Sequence, residues 1–92
     1  MGRAVRVVIG GRVQGVGYRA WCQTEAESLG LSGWVRNRRE GSVEALFSGD
    51  AEAVEEILRR VWRGPRGADI ASVAVEEAGA VAGVRFDVLP TV

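Results

Sequence analysis

The stretch Ala4-Val-Arg-Val-Val-Ile-Gly10 runs straight into Gly11-Arg-Val-Gln-Gly-Val-Gly-Tyr-Arg19, and beyond it the apolar period lengthens from two residues to three or four. A strand therefore hands over to a helix across a glycine-rich turn. Gly15 and Gly17 permit positive φ, so successive backbone N–H groups can turn toward one point, and Arg19 opens a helix whose positive end faces the same place. A turn of this kind cradles an anion with three oxygens, and it does so without a metal.

The rest of the chain supplies the elements around that turn. Tyr18, Trp21, Cys22, Ala26 and Leu29 recur at helical spacing with Gln23, Glu25 and Glu27 off the stripe, and Gly30 with Leu31 behind it ends the helix. Residues 31–38 (LSGWVRNR) and 43–48 (VEALFS) read as strands joined by Arg39-Glu40-Gly41-Ser42, a hairpin in which Gly41 takes positive φ. Asp50 is placed to cap a second helix with Ala53, Val54, Ile57, Leu58 and Val61 inward and with Arg59, Arg60 and Arg63 near its C-terminal end; Gly64-Pro65 closes it. Ile70 to Glu76 predicts a fourth strand with Val73 and Val75 inward, and Val84, Phe86 and Val88 alternate with Arg85 and Asp87 in a short fifth. Repeats, linkers and low-complexity segments are absent.

This order, βαββαβ plus a short fifth strand, predicts an α+β fold of the ferredoxin-like split βαβ type: one antiparallel sheet with both helices on one face. It predicts a single domain over residues 1–92, long enough to bury roughly 60–70% of the surface of its unfolded chain. In that topology the first and second strands run parallel with the third between them. Their C-terminal ends then emerge at one edge, about 10 Å apart at about 4.8 Å per strand. Asn37 is thereby expected beside the glycine loop, with Arg36 or Arg38 as further donors.

Composition narrows the chemistry. No apolar run is long enough to span a bilayer, no signal-peptide pattern opens the chain, and the lone cysteine, Cys22, suits a reducing cytosol, so a soluble, cytoplasmic protein is expected. Formal net charge is zero, which argues against a nucleic-acid surface, although Arg3, Arg6, Arg12 and Arg19 all precede the first acid, Glu25. Lysine is absent, so every cationic side chain is a guanidinium, suited to pairs of carboxylate or phosphate oxygens.

Without histidine there is no phosphohistidine chemistry and no serine-histidine triad, and without lysine there is no Walker A loop. A cysteine-phosphatase loop starting at Cys22 would need an arginine six residues on, where Ser28 stands, and no Asp-x-Asp pair occurs. Guanidinium, amides and a carboxamide can hold and neutralise a phosphoryl group but cannot protonate a poor leaving group near neutrality. The leaving group must depart unaided. A carboxylate does, being the conjugate base of an acid of pKa about 4–5, so acyl phosphates fit this chemistry and alkyl phosphates do not.

The motif Gly11-Arg-Val-Gln-Gly-Val-Gly-Tyr-Arg19, followed by Gly33-Trp-Val-Arg-Asn37 and the Gly41 hairpin, resembles the acylphosphatase family over nearly the whole chain. The resemblance implies cofactor-free and metal-free hydrolysis of the carboxyl-phosphate bond of a small-molecule acyl phosphate. It implies that Arg19 binds the phosphate, that Asn37 holds the attacking water, and that the backbone of Gln14, Gly15, Val16, Gly17 and Tyr18 forms the cradle. No nucleic acid, membrane or obligate protein partner is expected. Gly10 ahead of the motif and the tail Leu89-Pro-Thr-Val92 depart mildly from the family pattern.

Other readings compete. Gly15-Val-Gly17-Tyr-Arg-Ala20 also matches a dinucleotide fingerprint, but strand two ends in Arg-Asn-Arg-Arg rather than an acid. An RNA-binding sheet would show basic and aromatic residues where strand three has Val43-Glu-Ala-Leu-Phe47. A carbamoyl-phosphate-handling domain of a larger maturation protein would use the same loop. Trp21, Trp34, Trp62 and Cys22 read as packing residues.

Overall fold

The computed structural model describes residues 2–79 and 83–92. Its elements are β1 (Gly2–Arg12), α1 (Tyr18–Ser28), β2 (Ser32–Asn37), β3 (Val43–Asp50), α2 (Ala51–Arg60), β4 (Asp69–Glu77) and β5 (Phe86–Val88). The strands form one sheet in the order β4-β1-β3-β2-β5, so β3 lies between the parallel β1 and β2 as the split βαβ topology requires.

The sheet is mixed rather than antiparallel. β4 pairs antiparallel with β1, but β5 pairs parallel with β2, bringing Val35 opposite Val88. The reason is directional. β4 runs opposite to β1 and β2, and the chain then returns along the far edge of the sheet in the reverse sense, which is the sense of β2.

Alternation along β1 aims Val5, Val7 and Ile9 at one face, opposite Phe47, Ala45 and Val43 of β3. Tyr18, Cys22 and Ala26 of α1 and Val54 and Ile57 of α2 close over them in one apolar cluster that also takes in Val35, Val61 and Phe86. The Phe47 and Phe86 rings stack at 5.6 Å. Each fully buried large side chain contributes about 1.5–3 kcal/mol, so this layer dominates the stability.

The opposite face carries a polar cluster. Glu44 is buried there, gripped by Arg6 and, at 2.9 Å, by Arg36, whose guanidinium lies 4.6 Å from the centre of the Trp34 ring.

Local chemistry explains the boundaries. At the end of α1 Gly30 takes φ 71°, and its N–H donates to the Glu27 carbonyl at 3.0 Å while that of Leu31 donates to Ala26 at 2.9 Å. Two otherwise orphaned carbonyls are thereby satisfied. Gly33 is fixed by space: a Cβ there would sit 1.9 Å from the Leu46 carbonyl oxygen.

Three further expectations need correction. Asp50 occupies the N-cap position of α2, but its side chain makes no capping bond; strand β3 runs into the helix without a loop. Val75 faces the helix side yet is 45% exposed, because α2 lies over β1 and β3 and leaves the β4 edge bare. Trp62 is 53% exposed, standing just past α2 on the side away from the core.

Candidate active site

Between β1 and α1 the chain turns through Gly15 at φ 76° and Gly17 at φ 79°, conformations that L side chains adopt only with strain. A Cβ at either would meet no atom within 4 Å, so torsion rather than crowding selects glycine here. Gly17 is the N-cap of α1, and its carbonyl accepts from the Trp21 N–H at 3.1 Å.

Side chains moor the loop at both ends. The Gln14 amide Nε2 donates to the carbonyls of Arg38, at 2.7 Å, and Ser42, at 2.9 Å, tying the loop to the β2–β3 hairpin. The Tyr18 hydroxyl donates to the Val61 carbonyl at 2.7 Å, and its ring packs on Gly64, where a Cβ would lie 2.9 Å from Cε2. Burial raises the Tyr18 pKa, with the Cys22 thiol adding to it, so the phenol keeps its proton and remains a donor.

A pocket of about 330 Å³ opens above this turn. Gln14, Gly15, Gly17, Tyr18, Arg19 and Asn37 line it, which gathers the strand-two asparagine and the helix-opening arginine around the loop. Val16 is not part of the lining: its side chain leans toward Gly67, where a Cβ would stand 3.6 Å from Val16 Cγ1. Arg36 and Arg38 do not reach it either. Arg36, one residue before Asn37 on β2, projects to the opposite face, where Glu44 holds it, and Arg38, just past the end of β2, pairs with Glu40 at 3.2 Å.

Among the described residues Arg19 is the half-buried arginine without a carboxylate partner; Arg3, Arg6, Arg36, Arg38 and Arg60 each have one. It is also the one charged side chain among the described residues that line the pocket. A guanidinium at a helix N-terminus opposes the helix dipole, and leaving it unpaired there favours a bound anion. The Asn37 carboxamide makes no hydrogen bond with the described residues, while its backbone carbonyl accepts from the Val92 N–H at 3.1 Å. The tail is thus bound alongside β2.

Sequence reasoning did not find Val13, Ala20, Gln23 and Val88, which complete the lining. Gln23 was legible, since it stands one helical turn beyond Arg19. Val88 was not, because its place depends on the parallel pairing of β5. Cys22 is fully buried, and burial, helped by Glu25, pushes its thiol up to about 12, so it packs and does not attack.

The acylphosphatase family model matches residues 5–88, a range that takes in the loop, Arg19 and Asn37. The chain belongs to the acylphosphatase family. An acylphosphatase of Bradyrhizobium diazoefficiens is 52% identical in an alignment covering 100% of both chains. The solved acylphosphatase of Coxiella burnetii superposes with a TM-score of 0.93 at 32% identity, over 96% of this chain and 93% of that one. The Bacillus subtilis acylphosphatase superposes with a TM-score of 0.90 at 36% identity, over 97% and 99%. The chain is accordingly an enzyme that hydrolyses acyl phosphates, with the ferredoxin-like fold of its relatives. No helix among the described residues is long and apolar enough to cross a membrane.

Proposed function

We propose that the phosphoryl group of the substrate sits on the backbone amides of Gln14 to Tyr18 with the Arg19 guanidinium against its oxygens, and that Asn37 positions the attacking water. The observation that carries this reading is the half-buried Arg19, without a carboxylate partner among the described residues, in the same pocket as the Asn37 carboxamide, which bonds to none of them. Attack in line with the P–O bond to the acyl oxygen forms the new P–O bond as the carboxylate leaves. A carboxamide is no base, so the water's proton passes to a phosphate oxygen. Arg19 and the amides stabilise the charge that accumulates on the phosphoryl oxygens. The departing carboxylate needs no acid, and neither metal nor cofactor has a step to perform.

The enzyme acts in this reading as a single domain over residues 1–92, on a small molecule, in the cytoplasm, with no nucleic acid and no obligate protein partner. Purified protein is expected to hydrolyse benzoyl phosphate in the presence of a chelator. Arg19→Ala and Asn37→Ala are each expected to lower kcat by about 10³ or more with the circular dichroism spectrum unchanged. Activity that depended on added metal, or that survived both changes, would overturn the mechanism.

A further inference from the structure

Beyond the loop, Arg19 and Asn37, the pocket has a second wall made of Val13, Ala20, Val88 and Gln23. Three of these are apolar. Gln23 is placed one turn after Arg19 on α1, and its Nε2 donates to the Phe86 carbonyl at 2.9 Å. That bond commits the amide nitrogen to the backbone of β5 and leaves Oε1, an acceptor, without a partner among the described residues. Val88 follows on the same strand. It pairs with Val35, two residues before Asn37, so Val88 and Asn37 share the helix-side face of the sheet.

We infer that this wall is the acyl subsite and that it selects acyl phosphates whose organic half is neutral and largely apolar over those carrying a second anionic group. The inference rests on the proposed placement of the phosphoryl group. Once Arg19 holds that group, no cation is left in the lining to meet another anion, and the free Oε1 of Gln23 would face it as a second acceptor. An apolar acyl group instead covers Val88 and Ala20 and loses no hydrogen bond on entering. β5 thus sets specificity from the sheet edge while the loop sets the reaction.

Benzoyl phosphate and 4-carboxybenzoyl phosphate test this, since they differ by one remote carboxylate. Wild-type kcat/KM is expected to favour benzoyl phosphate by about tenfold at low ionic strength, and Gln23→Arg should shrink that preference to about twofold or less. Val88→Trp, a change at a 41% exposed position, should raise KM for benzoyl phosphate more than for acetyl phosphate. Inhibition by inorganic phosphate should stay within about twofold of wild type in Val88→Trp. Turnover of both benzoyl substrates at equal kcat/KM overturns the subsite alone, as does a Val88→Trp effect shared equally by acetyl phosphate, benzoyl phosphate and inorganic phosphate. No turnover of any acyl phosphate overturns the proposed chemistry and the subsite with it.

Discussion

The Gln14 side chain and the Arg38 carbonyl are joined at 2.7 Å, and the same amide nitrogen reaches Ser42 at 2.9 Å. One side chain therefore sets the spacing between the phosphate loop and the hairpin that carries Asn37. Its donors being spent on backbone, Gln14 serves the substrate through its main chain only. Gln14→Ala is expected to cost about 1–3 kcal/mol of stability, at about 1 kcal/mol for each lost bond. It should also lower kcat by about tenfold or more with a smaller change in phosphate inhibition. Urea denaturation and steady-state kinetics measure the two effects, and an unchanged kcat would show that the link does not position Asn37.

Arg19 separates stability from activity. Its charge opposes the dipole of α1, so Arg19→Ala without phosphate should be as stable as wild type or more stable by about 0.5 kcal/mol, while losing nearly all turnover. Inorganic phosphate at one hundred times its dissociation constant should stabilise wild type by about 2.7 kcal/mol and the variant hardly at all. Thermal melts with and without phosphate decide this; equal phosphate stabilisation of both proteins would remove Arg19 from the binding site.

The glycines divide into two kinds. Gly33→Ala would press a Cβ to 1.9 Å from the Leu46 carbonyl, and the protein should fail to accumulate folded or lose more than about 3 kcal/mol. Gly15→Ala meets open space and pays only for φ 76°, about 1–2 kcal/mol. It should fold, with kcat falling well beyond what that stability loss explains. Expression yield and kinetics of the two variants are the check.

Glu44 gives the stability a pH dependence. Burial alone would raise its pKa, but hydrogen bonds and charge from Arg36 and Arg6 outweigh burial and hold it below the ordinary carboxylate value. A depressed folded-state pKa means that the stabilisation is present above the unfolded value of about 4.3 and is lost as pH falls through the folded value. Wild type should lose stability as pH drops from about 5 toward 3, and Glu44→Gln, less stable at pH 7, should lose less over that range. Urea midpoints across the range report the difference, and parallel curves would contradict it.

Cys22, with its thiol pushed up to about 12, should resist iodoacetamide at pH 8 until the protein unfolds. Cys22→Ala should keep kcat while losing about 1 kcal/mol through the small cavity left in the core. Mass spectrometry of the alkylated native protein settles the first point.

Much of this was legible in the chain. The stripes of α1 and α2, the Gly41 hairpin and the glycine turn follow from local period and torsion, which neighbouring residues fix. Placing Asn37 beside Arg19 needed only the rule that β1 and β2 flank β3. What stayed hidden depends on partners far away in sequence. The pairing sense of β5 decides whether Val88 lines the pocket, and the reach of two helices decides that Val75 stays wet. Trp62 shows the limit of composition, since a large apolar residue just beyond a helix can lie on its outer side. Arg36 could have been set aside by alternation alone, standing one residue before Asn37 on the same strand.

The hydroxyl of Tyr18 on the Val61 carbonyl has a consequence for motion. The loop is bound to the hairpin through Gln14 and to the end of α2 through Tyr18, so it cannot swing open without breaking both attachments. The amides from Gln14 to Tyr18 donate to no backbone acceptor among the described residues. They should exchange with deuterium quickly in the free enzyme and slowly with phosphate bound, but large openings of the loop should be rare compared with smaller fluctuations. A catalytic loop exposed at the surface would thus hold its shape while leaving its amides open to the substrate.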